Sequence, residues 1–249
     1  MSDPFDSQFD CYVINLKTQP DKLLQFLEHN LTANLMIKPF EAIDGTKTNV
    51  AAMFEIFHPY TIHYPPGMIG AALSHRALWR RCAEQEKNYL VFEDDAVIRH
   101  DAKAMLLPLL RSVGSWDIVL LGYNFDSVLD FRVTDDIDFG GSFSQLYPTP
   151  EQITRFSRSK DSVALLRLNV ALGACAYAVS PSGARNLMQA CFPMDNRRVP
   201  VRFLDRSFPS YGLDCMMAVA YRNLRAFVCV PPLAMTPNEK NISTTESLR

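Results

Sequence analysis

Three consecutive carboxylates, Glu93, Asp94 and Asp95, follow directly on the apolar run Tyr89-Leu90-Val91-Phe92. Side by side they repel one another, so a compensating partner is expected. Two arrangements fit. The acids can be solvated and cap a following helix, whose N-terminus favours negative charge. Alternatively they hold a divalent cation at the C-terminal edge of a parallel sheet, where open α/β sheets bind ligands. Carboxylate oxygens suit Mg²⁺ or Mn²⁺, ions that take about one or two protein carboxylates and fill the remaining positions with water and substrate phosphate. Such an ion would offset the charge that builds on a departing nucleoside diphosphate. If the chain stays extended, alternate residues share a face, which pairs Glu93 with Asp95 as metal ligands and turns Asp94 to another neighbour.

The elements around this cluster read as α/β. Residues 11–16 form a short apolar strand, and Pro20-Asp21 then opens a helix with Leu23, Leu24, Leu27 and Leu31 on one side. Residues 36–43 are a second strand candidate, stopped by Asp44-Gly45. Residues 69–86 place Ile69, Ala72, Leu73, Leu78, Trp79, Cys82 and Ala83 at helical spacing, with Arg76, Arg80 and Arg81 mostly opposite. Residues 89–92, a helix over 102–111 and an apolar run at 116–121 make a strand-helix-strand unit for which parallel pairing is expected. Between 124 and 166 the periodicity fades, and this stretch is expected to be an insertion that carries specificity. A strand over 171–179 follows. Ser180-Pro181 then caps a helix bearing Ala184, Leu187, Met188 and Cys191. A helix at 213–221, a strand at 226–230 and a polar tail over 236–249 complete the reading of residues 1–249 as one domain.

Composition narrows the partners. With 25 basic and 27 acidic side chains the net charge is −2, too weak a field to recruit nucleic acid. The start carries Asp3, Asp6 and Asp10 without a basic flank or apolar stretch, and no run approaches the roughly 18 apolar residues of a membrane span. A cytosolic chain is expected. The six cysteines are scattered with no C-x-x-C pair, which predicts buried free thiols.

Several segments, in order, resemble glycosyltransferase family 25, which includes lipopolysaccharide and collagen galactosyltransferases. They are VINL (13–16) with Pro20-Asp21, FEAIDG (40–45), GMIGAALSHRALW (67–79), LVFEDDA (90–96), WDIVLLG (116–122), GACAYAVSPSGARNLM (173–188), YGLDCMM (211–217) and VPPLA (230–234). The resemblance implies a GT-A type nucleotide-sandwich domain, with a mostly parallel central sheet flanked by helices. It also implies inverting transfer of a hexose, galactose first, from a UDP-sugar to a glycan such as lipopolysaccharide core. A lipid-linked saccharide acceptor would be met at the cytoplasmic face of the inner membrane. UDP-glucose or UDP-N-acetylhexosamine as donor, and a non-catalytic homologue that binds nucleotide or glycan, are the alternatives.

By that likeness Glu93, Asp94 and Asp95 stand at the family's metal-binding acidic motif, with Mn²⁺ or Mg²⁺ as cofactor. Asn15 and Leu16 would lie near the nucleotide, Asp44 and Gly45 near the donor pocket, and Ser74 and His75 on the helix approaching the same cleft. Lys17 and Lys22 stand where the family usually has arginines, so a bidentate phosphate contact is not expected there. Inverting transfer needs a carboxylate to take the acceptor's proton. Asp214, at a helix start late in the chain, is the first candidate, and Asp44 the second. For Asp214 the competing role is a helix cap; for His75 it is a satisfied, half-buried group, and Tyr177 reads as a core aromatic ahead of a sugar platform. The arginines at 197, 198, 202 and 206 read as a solvated loop or as a docking place for an anionic acceptor.

Overall fold

The computed structural model describes residues 3–59 and 63–237. Elements follow in the order α1 (Pro4–Gln8), β1 (Phe9–Asn15), α2 (Pro20–His29), β2 (Ile37–Glu41), α3 (Pro66–Gln85), β3 (Asn88–Glu93), β4 (Val97–Ile98), α4 (Ala102–Val113), β5 (Ile118–Gly122), β6 (Val128–Thr134), β7 (Ile137–Ser142), α5 (Pro150–Ser157), β8 (Ala164–Ala171), β9 (Ala176–Val179), α6 (Pro181–Cys191), β10 (Arg198–Val201), β11 (Arg206–Pro209), α7 (Leu213–Ala220), β12 (Ala226–Val230) and β13 (Ala234–Met235). Nine of the strands form one sheet in the order β2-β1-β3-β9-β5-β12-β8-β6-β7.

Strand alternation sorts the core into two layers. Tyr12, Tyr89, Val91, Leu120, Tyr177 and Val228 pack with Leu73, Leu78 and Trp79 of α3, Leu187 of α6 and Met216 of α7. Their chain neighbours Val13, Leu90, Phe92, Val119, Leu121, Ala176, Ala178 and Cys229 pack with Phe5 of α1, Phe26 of α2 and Leu106 and Leu110 of α4. Helices therefore cover both faces, as a sheet with two apolar faces requires. All six cysteines are free and buried.

The sheet is mixed, and this corrects the expectation of a mostly parallel one. β1 pairs parallel with β2 and β3, and β5 with β12. β3 and β5, however, do not touch. β9 lies between them, antiparallel to both. Its sequence, Ala-Tyr-Ala-Val, is buried at every position, so it fits only inside a sheet covered on both faces.

Three further boundaries differ from the sequence reading. The strand expected over 171–179 is two strands, β8 and β9, separated by a turn in which Gly173 takes φ +75°. The stretch 124–166, in which periodicity fades, holds regular elements: the β6–β7 hairpin, with Phe131 and Phe139 stacked at 5.0 Å, extends the sheet, and α5 follows behind a Thr149–Gln152 capping box. Exposed Val133, Ile137 and Phe139 on that outer edge erase the in-out alternation that marks strands in the interior. Within the polar tail, Thr236 is buried beside β13, which pairs with β4; residues 238–249 lie outside the described residues.

Candidate active site

β3 ends on Glu93, and the chain turns at once, the Ala96 N–H returning to the Glu93 carbonyl at 3.1 Å. The turn removes the extended geometry on which the pairing of Glu93 with Asp95 was based. Each carboxylate meets a different element instead. Glu93 continues the Tyr89–Val91 face of β3 and points to α3, where its Oε1 lies 3.6 Å from His75 Nε2. Asp94 Oδ2 accepts from Asn15 Nδ2 at 2.7 Å, and Asp95 Oδ2 accepts from Thr236 Oγ1 at 2.6 Å. One acid is thus tied to the end of β1, one to α3 and one to the segment after β13.

This crowding shifts Asp94 and Asp95 upward. Desolvation raises the Asp94 carboxyl above its ordinary range, against the Asn15 hydrogen bond. Asp95 is open to solvent yet ringed by protein. Desolvation and the charge of Glu93 push its carboxyl up to about 6, with Asp94 adding to the effect. Such repulsion is what a bound cation would relieve. Among the described residues no group of three His, Cys, Asp or Glu converges to hold a metal. The donor set fits an ion held by one or two hard carboxylate oxygens and completed by nucleotide phosphates, rather than an all-protein cage.

The residues expected at the donor also tie the surrounding backbone together. Asn15 is buried, and its amide donates to Asp94 and to the Gln19 carbonyl at 3.1 Å. Half-buried Leu16 closes the turn after β1 by accepting from Gln19 N–H at 2.8 Å. Ser74 Oγ accepts from Ile43 N–H at 2.8 Å and donates to the Gly70 carbonyl at 2.6 Å, pinning the Asp44-Gly45 loop to α3. Gly45 and Gly70 permit that closeness, because a Cβ on the first would strike the Pro66 carbonyl and one on the second the Ile43 carbonyl. His75 and Tyr177 are buried, and Trp79 joins them: Trp79 Nε1 is 2.9 Å and His75 Nδ1 2.8 Å from the Tyr177 hydroxyl.

The two candidate bases differ in kind. Asp44 accepts from the Thr46 hydroxyl at 2.6 Å and its N–H at 3.0 Å, with Lys47 Nζ 3.3 Å away. Led by the Thr46 hydroxyl, these contacts hold its carboxyl below the usual range and make it a poor proton acceptor. Asp214 sits in the first turn of α7 with Oδ1 on the Cys215 N–H at 2.9 Å and Oδ2 on the Gly173 N–H at 3.1 Å. Burial nonetheless raises its carboxyl, and the charge of Glu93 adds to the shift. Asp214 therefore belongs electrostatically to the acidic cluster, and Asp44 to its own turn. Arg197 is engaged by Asp195 at 2.8 Å, whereas Arg198, Arg202 and Arg206 are exposed on the β10–β11 hairpin.

Thr236, Thr46 and Gly173 escape sequence reasoning. Each acts through a contact with a residue remote in sequence or through a local hydroxyl, and no spacing announces it.

The acidic cluster lies at the C-terminal end of β3, beside the end of β1, the side on which open α/β sheets bind ligands. A family model described as glycosyltransferase family 25 (LPS biosynthesis protein) matches residues 9–202, and the chain belongs to that family. It is similar to procollagen galactosyltransferase 2 of Mus musculus and of Homo sapiens, each 27% identical over 127 residues, 45% of this chain and 20% of the relative. A procollagen lysyl hydroxylase and glycosyltransferase of Acanthamoeba polyphaga mimivirus is 25% identical over 192 residues, 72% of this chain and 19% of that protein. The chain thus matches about a fifth of the length of these relatives. Asp214 and Thr236 lie beyond the span of the family model. No helix among the described residues is long and apolar enough to cross a membrane.

Proposed function

We propose that the chain is an inverting glycosyltransferase that moves a hexose, galactose, from a UDP-sugar to a glycan acceptor of the lipopolysaccharide-core kind. The observation that carries this reading is the junction of Glu93, Asp94 and Asp95 at the end of β3, where Asp94 and Asp95 are hydrogen-bonded to separate elements, Glu93 faces α3, and the charges of Glu93 and Asp94 act on Asp95. Family membership and the galactosyltransferase names of the relatives support the donor. The "LPS biosynthesis" description supports the acceptor class.

Although they do not share an extended face, Glu93 and Asp95 act on one another through their charges, and they are the residues that would hold Mn²⁺ or Mg²⁺, which would supply charge neutralisation at the leaving diphosphate. Asp94, held by Asn15, keeps β1 and the β3 turn in register beside the nucleotide. The loop at Asp44-Gly45, clamped to α3 through Ser74, forms one wall of the donor cleft. Asp214 takes the proton of the attacking acceptor hydroxyl at whichever oxygen faces the cleft, while the two backbone donors fix its plane. A cytosolic chain meeting a lipid-linked acceptor at the inner membrane face accords with this chemistry.

The test is a panel of UDP-sugars with Mn²⁺, read as slow UDP release. UDP-galactose should be hydrolysed fastest and only with the ion; if no nucleotide sugar is bound or cleaved under any metal condition, the proposal is lost. Asp95→Ala should remove Mn²⁺-dependent UDP binding while leaving the melting transition cooperative.

A further inference from the structure

A file of polar groups runs through the core beneath Glu93. Trp79 and His75 stand one turn apart on the inner face of α3, and Tyr177 faces them from β9 on the same side of the sheet as Glu93. Trp79 and Tyr177 are wholly buried, and His75 is 4% exposed. The Tyr177 oxygen lies 2.9 Å from Trp79 Nε1 and 2.8 Å from His75 Nδ1.

The chemistry of these groups fixes the direction of each bond. An indole N–H can only donate, so the Tyr177 oxygen accepts from Trp79. The phenol's own proton then needs an acceptor in a place without water, and His75 Nδ1 is the partner within reach. With both nitrogens donating to the oxygen, the phenol proton would be buried unpaired, at the full desolvation penalty. Burial keeps Tyr177 protonated well beyond neutral pH. Nδ1 therefore accepts, and the neutral ring carries its hydrogen on Nε2, the nitrogen set 3.6 Å from Glu93 Oε1. That separation exceeds a hydrogen bond, so the contact forms only when the half-exposed Glu93 side chain moves toward the ring.

We propose that Trp79, Tyr177 and His75 form a one-way donor relay that fixes His75 as the Nε2–H tautomer and thereby aims the Glu93 carboxylate, making His75 a positioning residue of the cation site rather than a donor-sugar contact. The inference rests on the reading of Glu93 as a metal ligand. Groups that hold a ligand's orientation in this way typically change metal affinity about 10–100-fold when removed.

Long-range ¹H–¹⁵N NMR on the metal-free protein reads the tautomer directly, with the His75 signals assigned by their loss in His75→Gln. The expected spectrum has His75 Nδ1 unprotonated and Nε2 protonated in the wild type, and a mixture of tautomers in Tyr177→Phe. Mn²⁺ titration in the presence of UDP gives the second readout. His75→Asn and Tyr177→Phe should weaken Mn²⁺ binding about 10–100-fold. His75→Gln, whose amide N–H reaches the Nε2 position, should recover most of it. An Nδ1–H tautomer or an imidazolium in the wild type overturns the proposal. So does unchanged Mn²⁺ affinity in a folded His75→Asn. Intact Mn²⁺ binding in Glu93→Gln instead removes the cation-site reading itself, a failure that the NMR experiment on metal-free protein keeps separate from that of the relay.

Discussion

At the scale of single residues, environment separates carboxylates that look alike in sequence. Asp44 precedes Gly45, Asp214 comes two positions after Gly212, and each lies at the start of a helical turn, yet one is held below its ordinary range by a neighbouring hydroxyl and the other is raised by burial. A raised carboxyl is the better proton acceptor near neutrality. Asp214→Asn should accordingly bind UDP-sugar normally and transfer about 10²–10⁴-fold more slowly, measured as kcat with donor saturating. In the wild type, kcat/KM should rise with pH and level off once Asp214 is ionised. Because its carboxyl is raised, that limb should lie above the roughly 3.9 of an unperturbed aspartate. A normal turnover in the Asn variant would move the base elsewhere. The type and position of Asp214 were legible from the chain. Its partner Gly173 was not, because a backbone N–H presented by a positive-φ turn has no side-chain signature.

Among elements, the proposed function makes the seam between the loop after β2 and α3 a wall of the donor cleft. Two glycines and one serine make it, and the glycines matter for what they lack. Gly70→Ala should force the loop away from the helix at a cost of about 1–3 kcal/mol by overpacking. Ser74→Ala should leave the Ile43 N–H without its acceptor at a cost of about 1–3 kcal/mol. Both should weaken UDP-sugar binding beyond what their stability loss alone produces, as isothermal titration at a temperature well below melting would show. Unaltered affinity in either folded variant would detach the loop from the donor site. Periodicity located α2, α3, α4, α6, α7 and β12 to within a few residues, because each presents a clear apolar stripe or run. It missed the β6–β7 hairpin, whose apolar side chains are exposed on an outer edge.

Across the whole molecule, the edge of the sheet opposite the acidic cluster is closed by Asp117. Its buried carboxylate accepts from Arg225 Nη2 at 2.6 Å and from the Arg225 N–H at 2.9 Å. Ser182 Oγ, in the first turn of α6, lies 3.2 Å away, so the starts of β5, β12 and α6 meet at one charge. Burial opposes ionisation there, but the Arg225 contacts outweigh it and lower the carboxyl. A depressed folded value means stability that is present above the unfolded pKa of about 3.9 and lost as pH falls through the folded one. Arg225→Ala should cost about 2–3 kcal/mol at neutral pH in urea unfolding. This is less than for a fully buried pair, because the Arg225 side chain is 42% exposed. The variant should also lose less stability than the wild type on acidification below pH 4; an equal acid loss would place the titrating group elsewhere. Local sequence by itself determined most of the buried helices and strands and which residue types could bear charge, since those follow from apolar spacing and from side-chain chemistry within a few residues. Only the tertiary structure decided that β9 enters between β3 and β5, that Thr236 closes on Asp95, and that His75 faces Glu93. These contacts join residues as much as 141 positions apart, and the packing of two helical layers on one twisted sheet brings them together.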